Sequence, residues 1–289
     1  LEDKEVSGWE MDMKRKLEAE IVSQKEILEG IFDLRLSAPA IAAEAEPGQF
    51  VNIYVNDASK LLPRPISLCG IDRESGTIRL VYRVSGKGTG TDEISRMKAG
   101  EKLEVMGPLG NGFPLEEAAG KKVYLIGGGI GIPPMLETAR VLHESVGIDG
   151  RTGQGEYSTK TTEIVSVLGY RSDTFLVPEF QQYGGVLVAT EDGSHGTKGN
   201  VLDAIRADGN RPEVIFACGP MPMLRALKKY AEEEKIPCWI SMEERMACGI
   251  GACLACVCRT TEVDGHSHVK NTRVCADGPV FRAETLDLG

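Results

Sequence analysis

Four cysteines near the C-terminus, Cys248, Cys253, Cys256 and Cys275, follow a C-x4-C-x2-C spacing with a distant fourth member. This is the plant-type arrangement of thiolate ligands for a [2Fe-2S] cluster, and a segment that must wrap such ligands has little freedom to fold otherwise. The loop from Ala247 to Cys256 is built largely from small residues, so the backbone can bend tightly and aim N–H groups at sulfurs that carry negative charge. A structural zinc site with four thiolates is the alternative. Zinc ribbons, however, favour two separated C-x2-C knuckles, and Cys253 and Cys256 form the only such pair here. The segment from Cys248 to Asp277 is too poor in apolar residues for a large core of its own, so metal ligation would supply its fold.

At 289 residues the chain exceeds the usual size of one core and should divide into two or three domains. Its apolar content of 42% is ordinary, and no run of about 18 uncharged apolar residues is present that could span a bilayer. Leu1 to Lys16 is mostly charged and lacks the apolar stretch of a signal peptide. A cytoplasmic protein is expected, and eight cysteines in a pattern that needs thiolates also argue for a reducing compartment. The net charge of −10 disfavours nucleic acid as a partner.

The first third reads as short strands. Ile31 to Leu36 alternates apolar and polar residues, and Phe50 to Val55 and Thr77 to Val84 are rich in β-formers. Strands at such intervals predict a small antiparallel barrel that closes near Leu103 to Val105. The middle third changes rhythm. Val123 to Ile126 is a buried strand that runs into Gly127-Gly128-Gly129-Ile130-Gly131, and Pro133-Pro134 then opens a helix through about His143. Strands at Ile164 to Leu168, Val186 to Ala189 and Val214 to Ala217 give the pattern of a parallel α/β sheet. A helix over Met221 to Glu234 and a last strand over Ile236 to Ser241 follow. The expected fold is therefore multidomain: an antiparallel β-barrel over 13–115, an α/β parallel-sheet domain over 119–235 and a small cluster domain over 236–289. Gly147 to Thr162, rich in Gly, Ser and Thr, reads as an exposed loop or insertion.

Three further motifs carry chemistry. Arg64-Pro65-Ile66-Ser67 combines a cation for phosphates with a hydroxyl that could sit near a flavin N5, though it also reads as an ordinary strand end with an exposed arginine. Gly86-Lys87-Gly88-Thr89 precedes an expected helix over Thr91 to Met97, and its glycines would let N–H groups approach a pyrophosphate. The glycine run at 127–131 lies between a strand and a helix, as a nucleotide cradle does, without matching G-x-G-x-x-G. Cys218-Gly219-Pro220-Met221 would fall on the same rim of the sheet, and Cys218 reads equally as a small buried thiol beside a turn.

Taken in order, these motifs resemble the electron-transfer subunits of NAD-dependent (type B) dihydroorotate dehydrogenases, within the ferredoxin reductase superfamily. The resemblance runs from about Lys14 to Phe281 and rests most on Glu244 to Cys258 and on Val274 to Phe281. It implies FAD on Arg64, Pro65, Ile66, Ser67, Val81, Tyr82, Arg83, Gly88 and Thr89, with Ser67 near N5 and Arg64 near the phosphates. It also implies NAD on the rim made by Gly127, Gly128, Gly129, Gly131, Cys218, Gly219, Pro220 and Met221, with Cys218 facing the nicotinamide and the four cysteines ligating the metal. Nicotinamide exchanges two electrons as hydride while the cluster carries one, so FAD must stand between them. The implied partner is an FMN-containing dihydroorotate dehydrogenase catalytic subunit, in a heterotetramer of two of each. A subunit of an NAD(P)-linked ferredoxin oxidoreductase or sulfide dehydrogenase is the alternative.

Leu1 to Asp12 reads as an extension or start-site artefact ahead of Met13. Cys258 is left as a free thiol, and Arg171 keeps a 2′-phosphate, hence NADP, open.

Overall fold

The computed structural model describes residues 15–55, 57, 59–145, 161–264 and 268–289. The expected extension at Leu1 to Asp12, and all but the last two residues of the expected insertion ending at Thr162, lie outside the described residues.

Six antiparallel strands close a barrel in the order β1-β2-β5-β4-β3-β6. They are β1 (Arg15–Leu28), β2 (Ile31–Ser37), β3 (Phe50–Tyr54), β4 (Arg64–Asp72), β5 (Thr77–Arg83) and β6 (Lys102–Leu109). Period-2 alternation decides which side chains enter. In β6, Leu103 and Val105 are buried between the exposed Lys102 and Glu104, and they meet Ile21, Leu34 and Ile53 inside. Two short helices, α1 (Pro39–Glu44) and α2 (Gly90–Ile94), cap the barrel between strands. The helix expected over Thr91 to Met97 is thus a single turn that starts one residue earlier and ends at Ile94.

The second unit is a seven-stranded sheet, β10-β9-β8-β7-β11-β12-β15. Its strands are β7 (Lys122–Gly128), β8 (Glu163–Tyr170), β9 (Gly185–Thr190), β10 (Thr197–Lys198), β11 (Val214–Cys218), β12 (Cys238–Ser241) and β15 (Val280–Arg282). The first six are mutually parallel, and β15 joins β12 antiparallel. A central parallel strand is buried on both faces, which is why Val123 to Ile126 reads as a continuous apolar run. Val123 and Leu125 enter one core with Met135, Ala139 and Leu142 of α3 (Pro133–Ser145). Tyr124 and Ile126 enter the other with Ile205 of α5 (Val201–Asp208) and Leu227 of α6 (Met221–Glu234). The start of α5 is fixed by a reciprocal capping box between Asn200 and Asp203. Between β12 and β15 the chain makes the cysteine loop and a two-stranded ribbon, β13 (Val257–Arg259) and β14 (Asn271–Arg273). Among the described residues no helix is long and apolar enough to cross a membrane.

Barrel and sheet are joined by two arginines. Arg79 of β5 donates to Asp33 of β2 at 2.7 Å and to Glu179 of α4 (Val177–Phe180) at 3.0 Å, with its side chain only 11% exposed. Arg140 of α3 pairs with the buried Glu137 and reaches the Ile71 carbonyl of β4 at 3.4 Å. Desolvation raises the Glu137 carboxyl above its ordinary pKa, opposed by the bonds from Arg140. Arg79→Ala leaves two carboxylates facing each other across the seam. The expected loss is about 3 kcal/mol of unfolding free energy, read from urea denaturation against wild type.

Candidate functional site

Parallel register brings the two glycine motifs together. Cys218 at the end of β11 stands beside Gly127 at the end of β7. A Cβ on Gly131 would come within 2.5 Å of the Cys218 carbonyl oxygen, and one on Gly219 within 3.0 Å of the Gly128 nitrogen. Two loops can touch backbone to backbone only where neither carries a side chain. The rim they form borders a cavity of about 730 Å³ lined by Gly128, Gly129, Gly131, Gly219 and Pro220, with Leu28, Glu29 and Ile31 of the barrel opposite. Gly127, Cys218 and Met221 are not among its lining residues. Arg83, at the end of β5, faces the same cavity across the seam, with its guanidinium near Gly129.

Cys218 is fully buried, and burial raises its thiol far above the ordinary range, with Glu243 adding to the rise and a hydrogen bond involving Ser241 opposing it. The thiol therefore stays protonated and is no nucleophile. Glu243 lines the cavity with its side chain open to the lumen, yet enough protein surrounds it that desolvation raises its carboxyl above the usual range. At the far end Arg171, Ser172, Glu191 and Asn200 share the wall. Glu243, Glu191 and Asn200 belong to no sequence motif. Only their positions just past strands β12 and β9 and at the cap of α5 hinted at a place on the rim.

On the barrel, Arg64, Gly88 and Thr89 meet at α2. A Cβ on Gly90 would lie 2.6 Å from the Arg64 Nε, so the half-buried guanidinium rests on a backbone that only glycine leaves open. Arg64 donates to the carbonyls of Leu62 and Pro63 rather than to a carboxylate, a geometry that suits a cation kept for phosphates. Thr89 caps α2 by accepting from the Asp92 N–H. The Gly88 N–H donates to the Asp92 carboxylate at 2.6 Å, so that amide is already engaged. Ser67 and Pro65 lie on the outer face of β4, while Ile66 points into the barrel. Val81 is buried where the barrel meets the sheet. Tyr82 turns inward, stacked 5.9 Å from Phe32, and its hydroxyl donates to Gln24 at 3.0 Å. Its ring thus serves the barrel, leaving its backbone for any cofactor contact.

Among the four cysteines, Cys253 lies beside Cys248, and Cys256 and Cys248 both act on the Cys275 thiol. Among the described residues no three or more His, Cys, Asp or Glu side chains converge as the ligands of one ion would. The C-x4-C-x2-C spacing of the cysteines with a distant fourth member, and the backbone N–H groups aimed at them, fit the iron-sulfur group. Backbone donors are in place around them: Gly251 N–H to Cys275 Sγ at 3.1 Å, Cys275 N–H to Cys256 Sγ at 3.4 Å and Ile250 N–H to Cys248 Sγ at 3.5 Å. Burial works to raise Cys248, but the Ile250, Cys253 and Ala252 N–H groups and the Cys253 thiol outweigh it and hold its pKa down to about 6. Positive φ at Gly249, Gly251 and Leu254 curls the loop. Arg273, ion-paired with Asp277 at 2.8 Å, ties this loop to the fourth cysteine through the Gly251 carbonyl. Cys258 is buried on β13, and burial pushes its thiol up to about 11.

The cap is fastened to the barrel. Asn111 donates to the carbonyls of Ala276 and Asp277, and its N–H to that of Gly278 at 2.7 Å. Phe50 and Leu109 share one core with Cys256, Val274 and Cys275, and Phe50 is the cross-strand neighbour of Ser67. Ser67 and Phe50 share the outer face of the barrel, so the cysteines pack on the same side of the wall as Ser67.

Residues 18–113 match the oxidoreductase FAD-binding domain family, and residues 243–287 the iron-sulfur cluster binding domain of dihydroorotate dehydrogenase B. The chain is 44% identical over 272 residues to the dihydroorotate dehydrogenase B (NAD(+)) electron transfer subunit of Bacillus caldolyticus, covering 93% of this chain and 97% of that one. Its counterpart from Bacillus cereus strain B4264 is 43% identical over 274 residues, with the same coverage. Among solved structures, an NADH-dependent reduced ferredoxin-NADP oxidoreductase studied for flavin-based electron bifurcation superposes with a TM-score of 0.78 at 32% identity, over 93% of this chain and 90% of that one. A ferredoxin NADP+ reductase from Neisseria gonorrhoeae, 14% identical with a TM-score of 0.58 over 75% of this chain and 91% of that one, shares the fold.

Gly131→Ala forces the two rims apart, because the Cys218 backbone cannot yield as a flexible side chain would. The expected cost is about 3 kcal/mol of stability, visible as a lower thermal midpoint.

Proposed function

The chain belongs to the family of dihydroorotate dehydrogenase B electron-transfer subunits, and from that premise we propose how its residues divide the work. It passes electrons from a catalytic partner subunit through a [2Fe-2S] cluster and FAD to NAD. When bound, FAD exchanges two electrons with the nicotinamide and one at a time with the cluster. In this reading the partner subunit carries FMN and the dihydroorotate site, and the assembly is a cytoplasmic heterotetramer with two copies of each chain. The division into 13–115, 119–235 and 236–289 assigns one cofactor to each segment.

Arg64 holds the flavin phosphates against the open backbone of Gly90, and Ser67 places its hydroxyl near the reactive ring nitrogen. Pro65, Ile66, Val81, Tyr82, Gly88 and Thr89 shape the bed around them. Gly127, Gly128, Gly129 and Gly131, with Gly219, Pro220 and Met221, admit the nicotinamide nucleotide to the rim, and Arg83 spans both cofactors from the seam. Cys218, protonated and behind the rim, sets the depth at which the nicotinamide rests. Glu191 shares the far wall with Arg171 and disfavours a 2′-phosphate, which keeps the site for NAD. Cys248, Cys253, Cys256 and Cys275 would hold the cluster through their four thiolates.

The observation that supports this reading is the packing of the cysteines with Phe50 on the outer face of the barrel that also carries Ser67. A cluster and a flavin held on that one face would exchange single electrons without a moving part. A second reading, a subunit of an NAD(P)-linked ferredoxin oxidoreductase or sulfide dehydrogenase, draws on the 32% identical structure. Identity of 43–44% to the dihydroorotate dehydrogenase subunits favours the first.

Co-purification from the native source should recover an FMN-containing dihydroorotate dehydrogenase, and a different redox partner would shift the assignment to the second reading. Cys256→Ser should lose the iron-sulfur absorbance but keep the flavin bands and NADH oxidation with an artificial acceptor, while reduction through the partner subunit stops. Glu191→Ala should narrow the ratio of kcat/KM for NADH over NADPH by about tenfold, the equivalent of one lost charge contact.

A further inference from the structure

Asn52 of β3 is fully buried, and neither its Nδ2 nor its Oδ1 has a hydrogen-bond partner among the described residues. Native interiors satisfy such groups, so an amide left open at both ends points to a partner outside the polypeptide. Its position says which. Val51 and Ile53 on either side fill the barrel, so Asn52 points outward. Its cross-strand neighbour is Pro65, on the same outer face of β4 as Ser67. Above it lies the cysteine loop at Gly249, where φ is +72° and a Cβ would come within 2.2 Å of the Asn52 Nδ2. The amide is thus held between the flavin strand and the residue that follows Cys248, and glycine leaves nothing in between.

We propose that Asn52 is a positioning residue for electron transfer: its Nδ2 donates a hydrogen bond to a sulfur of the [2Fe-2S] cluster on the Cys248 side and stabilises the reduced cluster next to the flavin. The proposal rests on the assignment of cluster and flavin made above. Donors aimed at cluster sulfurs favour the form that carries the additional electron, so each one raises the reduction potential.

Redox titration of the purified, cofactor-loaded protein tests this, with the cluster followed by electron paramagnetic resonance and the flavin by absorbance. Asn52→Leu and Asn52→Val both remove the donor and put an apolar residue in the strand, so one serves if the other does not fold. Each should shift the reduced-to-oxidised ratio of the cluster about tenfold toward oxidised, which is about 59 mV for a one-electron couple, with the flavin potential unchanged. In the cofactor-free protein the same variants should melt above wild type, because an unpaired buried amide is gone. Cluster potentials equal to wild type in both variants overturn the proposal, as does a shift confined to the flavin. A wild-type protein with no reduced-cluster signal overturns the assignment of the cluster itself, a result separable from either.

Discussion

Everything functional in this molecule depends on how closely its backbones approach one another at glycine. The nucleotide rim exists because Gly131 and Gly219 let two loops meet main chain to main chain. Arg64 can rest on the backbone of α2 because Gly90 gives way to it, and the cysteine loop can lie on the barrel because Gly249 presents no side chain to Asn52. In each place a methyl group would act as a wedge of a few tenths of an ångström to more than one. Distances between redox groups are set by such contacts, and electron transfer is sensitive to distance in a way that hydrogen-bond energies are not.

Electrostatics supports this geometry without creating it. Arg79 ties the barrel to the sheet through Asp33 and Glu179, and Arg140, held by the buried Glu137 of its own helix, does so through the Ile71 carbonyl, so the seam does not depend on a flexible linker. Around the cysteines the main chain aims N–H groups at the sulfurs. Those amides already hold Cys248 toward its thiolate form, the state a metal requires.

Much of this was legible in the sequence because it is local. Cysteine spacing, a glycine run between strand and helix, and alternation within short strands all act over a few residues. β1 was missed although Leu17, Ala19 and Ile21 alternate with charged residues, because its pairing with both β2 and β6 is what makes a long charged segment a strand. The strand expected from Ile236 begins at Cys238, and β15, reached only after the whole cysteine loop, joins the sheet edge through a contact that no local pattern announces. Asn52 and Glu243 escaped for the same reason. Their chemistry arises from what packs over them, and Tyr82, which reads as available from its motif, is turned inward by Phe32 and Gln24.

The return of β15 to β12 has a consequence for how the protein matures. Ser241 and Val280 are register partners, so the two ends of the cysteine-bearing segment are pinned side by side by sheet pairing rather than by metal. Part of the entropy of closing that loop is lost when the sheet forms, before iron is delivered. The incoming metal then meets a tethered noose in place of a free tail, and assembly can proceed in two stages: polypeptide first, inorganic core second.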